Sequence, residues 1–118
     1  MPPRRPPTTY LTHWPGPPIG DEEGKIIHEA LGDKRAILLA HHGQLVATDT
    51  IEEAAVLAVF IERAAHMQVL AESIGTIKPI EPAIAREAHD YRLKSRSVAA
   101  TFHYYARRVL KHERDVLD

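Results

Sequence analysis

The apolar run Ala36-Ile-Leu-Leu-Ala40 contains no polar residue and breaks at His41-His42-Gly43. A short continuous run of this kind reads as a buried strand. Gln44 to Thr48 reads as a second strand, paired antiparallel with the first across the bend. Upstream, Ile26, Ile27, Ala30 and Leu31 recur on one face of a helix starting near Asp21. Asp21, Glu22 and Glu23 suit the positive end of its dipole, and Gly32 suits the position after its last turn. Downstream, Thr50-Ile51-Glu52-Glu53 is a capping-box pattern that opens a helix over 51–74, stopped by Gly75. Its apolar positions, among them Ala54, Leu57, Ala58, Phe60, Ile61, Ala65 and Val69, cover more than one stripe. A helix apolar on most sides belongs between layers or in a subunit interface. Pro82 suits the first turn of another helix, about 82–94. Ser97 suits the cap of a last one, about 98–114, with Val98, Phe102, Tyr105, Val109 and Leu110 as its apolar positions.

The expected order is therefore one helix, a β-hairpin, then three helices. Two strands alone make a poor sheet. With a helix as apolar as 51–74, this implies that another subunit or another half of the domain is missing. Ahead of these elements, Pro2, Pro3, Pro6, Pro7, Pro15, Pro17 and Pro18 forbid a helix and favour extended or polyproline-like chain. Residues 1–18 are read as a Pro-rich arm, disordered over 1–9, and 19–118 as the folded part. PPRRPP has the composition of an SH3-type ligand. His13-Trp14-Pro15-Gly16 reads as a turn whose aromatic anchors a loop.

Composition narrows the classes. With 118 residues, 44% apolar and 26% charged, the chain suits one soluble domain. A net charge of −1 gives no reason to expect nucleic acid or an anionic membrane as partner. No apolar run approaches the ~20 residues that span a bilayer, and MPPRRPPTT lacks the apolar segment of a secretory signal. With no cysteine, disulfides and thiolate metal sites are excluded, a cytoplasmic location is favoured, and any metal site must use His, Asp or Glu.

Eight histidines supply candidates. His28, His66, His89, His103 and His112 read as solvated or hydrogen-bonded helix residues, and none forms a His-Glu-x-x-His pattern. His41 and His42 differ, because they stand at a strand end beside glycine. Neighbouring strand residues point to opposite faces, so one imidazole should address a site while the other points away. Gly43 permits positive φ and close approach of a ligand or backbone.

The segments DEEG (Asp21 to Gly24), ALGDKRAILLAHHGQLV (Ala30 to Val46) and TIEEAAVLAVFIERAAHMQVLA (Thr50 to Ala71) carry a resemblance. From Gly20 to Glu72 the chain resembles the C-terminal half of the class II aldolase/adducin family. The family's usual form is a strand ending in Asn-His-Gly, a second strand, and a Ser/Thr-capped helix with Glu-Glu-Ala. His41 stands where Asn is common. The resemblance implies an α/β fold, a three-layer α/β/α sandwich in the parent domain, present here in part as one β-hairpin and about four helices. It implies that His42 matches the third of three zinc-binding histidines. The other two, in a His-x-His motif, the acidic catalytic residue and the phosphate-binding loops belong to an earlier part of the family domain. This sequence contains no His-x-His, so its catalytic residues stay unassigned.

The implied function is a metal-dependent aldehyde-lyase of class II aldolase type. Zinc would act as Lewis acid on a sugar or sugar phosphate, in a chain that lacks part of its site. The competing reading is a non-catalytic, adducin-like oligomerisation module. Family members often form symmetric tetramers, which implies a homo-oligomer. Family members can also present a tyrosine from the last helix to a neighbouring site. Tyr104 and Tyr105 lie there without a motif to fix the match, and read as aromatic packing.

Overall fold

The fold is taken from a computed structural model, which describes residues 8–13 and 20–117. It is mixed α/β, with a three-stranded sheet and four helices. The chain divides into two compact units, residues 1–48 and 49–118.

The first unit begins with β1 (Thr8–Leu11), followed by α1 (Asp21–Leu31), β2 (Ala36–Leu39) and β3 (Gly43–Val46). The sheet order is β1-β2-β3, with β2 parallel to β1 and antiparallel to β3. Thr8 pairs with Ala36 and Leu11 with Leu39 along the parallel ladder, and Ala36 pairs with Val46 and Leu39 with Gly43 along the antiparallel one. Ala40 N–H donates to the Leu11 carbonyl at 3.0 Å, and Ala47 N–H to the Arg35 carbonyl at 2.9 Å, each extending a ladder by one bond. The central strand holds the core: Ala36, Ile37 and Leu39 are buried, and Ala40 beyond it. α1 lies against β1 and β2. Its half-buried residues are Glu23, Ile26, Ile27, Ala30 and Leu31, the i, i+3, i+4 stripe that sequence spacing selects. It ends at Gly32, which has φ 57° and donates its N–H to the His28 carbonyl at 2.9 Å.

β1 corrects two expectations. The hairpin is not alone, and the disordered arm expected through residue 9 gives way to strand at Thr8. Thr8-Thr9-Tyr10 is β-branched and aromatic, which suits a strand. Four residues beside prolines are too few to show alternation, and the partner lies beyond a whole helix. Proline is compatible with flanking an edge strand, because an edge leaves one side without ladder bonds. The PPRRPP segment up to Pro7 and the Trp14-Pro15-Gly16 turn lie outside the described residues.

The second unit comprises α2 (Ile51–Ile74), α3 (Pro82–Arg92), α4 (Ser95–His112) and a short 3-10 turn over Arg114–Leu117. α2 has the bounds its capping signals predict. Glu53 N–H donates to Thr50 Oγ1 at 3.2 Å, and Gly75 follows the last turn. α3 has Pro82 in its first turn, and Glu81 caps it, accepting from Ala83 and Ile84 N–H at 3.1 Å each. α4 starts before Ser97, so Ser97 is not its cap; Lys94 holds that position without a side-chain bond. The Ser97 carbonyl instead accepts from Thr101 Oγ1 at 2.8 Å.

α2 packs on α4, with Val98 buried and Phe102 and Tyr105 half-buried on the α4 side. Val56 is the one α2 residue that is fully buried. From Glu62 to Ile74 every residue of α2 is exposed, including Met67, Val69 and Leu70. This corrects the expectation that no segment could span a bilayer: no unbroken apolar run is long enough, yet the whole of α2, charges included, is long and apolar enough by length and composition to cross one.

Candidate metal-ligand hairpin

The turn between β2 and β3 follows from its pairing. Because Leu39 faces Gly43 across the ladder, Ala40, His41 and His42 form a three-residue loop. His42 N–H donates to the Leu39 carbonyl at 3.1 Å, which closes a four-residue turn with His41 at its third position. His41 has φ 59°, alone among the non-glycine residues described in adopting a positive value, and Gly43 follows with φ 155°. Among non-glycine residues, Asn, Asp and His are several-fold enriched in the left-handed region. His41 is thus a residue type that can meet this backbone requirement.

His42 stands between these two residues, exposed at the end of the sheet. Its backbone is fixed by the turn bond on one side and the β3 ladder on the other, so its side chain springs from a defined point. His41 is also exposed. The parallel register carries a further histidine to this region. Leu11 pairs with Leu39 and accepts from Ala40, so Thr12 and His13 leave β1 at the sheet end where the hairpin turns. Sequence reasoning placed His13 in a turn and missed this juxtaposition, because nothing local in the sequence announces a parallel pairing between β1 and β2.

The remaining histidines are exposed on α1, α2, α3 and α4. His89 Nδ1 lies 3.0 Å from Asp90 Oδ1, and the His103 ring contacts Phe102 edge-on at 5.9 Å. Tyr104 accepts a hydrogen bond from Arg108 at 3.3 Å, while the Tyr105 ring lies under Arg63 at 5.4 Å. Tyr105 is half-buried and Tyr104 is exposed.

Among the described residues no three His, Cys, Asp or Glu side chains are grouped so as to hold a metal ion. A catalytic zinc takes three protein ligands and keeps one open position. The donors brought together among the described residues therefore do not fit a resident zinc by themselves.

Strand, helix, Gly-containing hairpin and capped helix follow one another in a mixed α/β chain. Residues 9–69 match the class II aldolase and adducin N-terminal domain, and the chain belongs to that family. It is 31% identical over 68 residues to a 4-hydroxy-3-prenylphenylpyruvate oxygenase/4-hydroxy-3-prenylbenzoate synthase of Streptomyces roseochromogenus subsp. oscitans, covering 58% of this chain and 24% of the relative. It is 34% identical over 68 residues to the meiotically up-regulated gene 14 protein of Schizosaccharomyces pombe, covering 55% of this chain and 26% of the relative. The chain thus spans about a quarter of the length of the curated relatives it matches.

Proposed function

We propose that this chain supplies the C-terminal half of a class II aldolase-like domain and that His42 is one donor of a divalent-metal site, zinc being the first candidate. The remaining donors come from outside the described residues, on another stretch of polypeptide or another subunit. The assembled protein is an aldehyde-lyase acting on a sugar or sugar phosphate in the cytoplasm. The observation that carries this reading is the forced geometry at His42, between the positive-φ residues His41 and Gly43, within the segment that matches the family. The test is cleavage of a panel of sugar phosphates by the chain mixed with the His-x-His half of a full-length family member and zinc. Activity that needs both parts and disappears in His42→Ala supports the reading. Inactivity across metals and partner halves sinks it. The Streptomyces relative is named as an oxygenase and synthase, so a hydroxyphenylpyruvate belongs in the panel.

A second reading is favoured by a specific observation, the exposure of α2 from Glu62 to Ile74. An adducin-like, non-catalytic module would bury this surface by self-association, as a homo-oligomer indifferent to chelators. Insertion into a bilayer is the weaker account of the same surface. Glu62 and Arg63 stand near mid-helix, where charged side chains are costly in hydrocarbon.

A further inference from the structure

Away from the hairpin, the second unit contains a recess of about 520 Å³ lined by Phe60, Arg63, Ala64, His66, Met67 and Arg92. Its lining is divided by chemistry. Phe60, Ala64 and Met67 give it an apolar floor, and Arg63, His66 and Arg92 give it nitrogen donors; no carboxylate lines it. The neighbouring groove between α3 and α4 shares Arg92 and differs in being lined by Glu87, Asp90 and Lys94 as well.

The two guanidinium groups are held by rings. Arg63 sits over Tyr105 at 5.4 Å and Arg92 over Phe60 at 5.7 Å. A cation–π contact orients a guanidinium without consuming its N–H donors, which remain available to an oxyanion. Neither arginine forms an ion pair among the described residues. Within the recess itself the two cations face an apolar floor and no described carboxylate, and Arg is the side chain best matched to carboxylate or phosphate oxygens.

We infer that this recess is a binding site for a small organic anion, one carboxylate or phosphate group joined to an apolar or aromatic body. The anionic group meets Arg63 and Arg92, with His66 as a further donor, and the body lies on Phe60, Ala64 and Met67. Nothing in this assignment depends on His42 or on a metal.

The test is a titration of the full chain with phenyl phosphate, followed by backbone amide NMR. Inorganic phosphate and benzyl alcohol serve as the two half-ligands. The expected result is saturable binding with shifts centred on residues 60–67 and Arg92. Each half-ligand should bind about tenfold or more weakly, and so should phenyl phosphate to the Arg63→Gln, Arg92→Gln double variant. Failure to saturate, equal binding by inorganic phosphate, or equal binding by a double variant of unchanged helicity would each overturn the assignment. A readout independent of any substitution is the nuclear Overhauser effect from the ligand ring to the Met67 methyl in the unaltered protein. It is expected, and its absence in a saturated sample would also overturn the assignment.

Discussion

At His41 and Gly43 the backbone sets the chemistry. Left-handed backbone at a residue with a Cβ costs of order 1–2 kcal/mol, and His41 adopts φ 59°. His41→Gly should therefore stabilise the chain, by about 0.5–1 kcal/mol in urea denaturation, and His41→Asn should stay within about 0.5 kcal/mol. Unchanged or reduced stability of His41→Gly would show that the His41 side chain makes a compensating contact. Gly43→Ala should destabilise by about 1–3 kcal/mol, since φ 155° is strained for any L side chain. A Cβ there meets no atom within 4 Å, so the loss would come from backbone strain and not from a clash. The bend itself was legible in the sequence, and so was the usefulness of Gly43. That His41 shares the positive φ was not, because the loop length depends on which residues face each other across the ladder, and single-residue preferences do not determine that.

Helix limits were readable where the signal is local: Thr50 and Gly75 mark α2, and the acidic first turn at Asp21 with Gly32 marks α1, which has no side-chain cap; the Glu81 cap of α3 was not read. The start of α4 was misread, since Ser97 looks like a cap and lies instead in the first turn. The two residues give a paired prediction. Thr50→Ala removes an acceptor for the Glu53 N–H and should cost about 1 kcal/mol. Ser97→Ala removes no cap and should stay within about 0.5 kcal/mol. Chemical denaturation of both variants checks this, and equal losses would contradict the cap assignment. β1 was illegible for another reason. Its four residues gain their ladder from β2, across α1, and only the tertiary arrangement reveals that pairing. The position of His13 at the hairpin end of the sheet depends on that same register.

For the molecule as a whole, the balance of buried and exposed surface leaves one helix short of a partner. The sequence announced a helix too apolar for its surroundings, and the structure leaves its second half exposed, with Ile74 at 89% and Met67 at 65%. If this surface joins copies of the chain, Leu70→Lys with Ile74→Lys should shift sedimentation from oligomer to monomer without loss of helicity. A native chain that is already monomeric at low micromolar concentration would remove the homo-oligomer from the account. The proposed metal site likewise needs donors beyond those described. His42 is rigidly placed, yet the chain assembles no group of three donors around it among its described residues. The most direct measurement is zinc content after dialysis at neutral pH. Native chain and His42→Ala would be compared, each alone and mixed with the His-x-His half of a full-length family member. The account predicts no stoichiometric zinc in either chain alone, and about one zinc per native chain in the mixture, lost in His42→Ala. One zinc held by the native chain alone, or equal zinc in both mixtures, would contradict it.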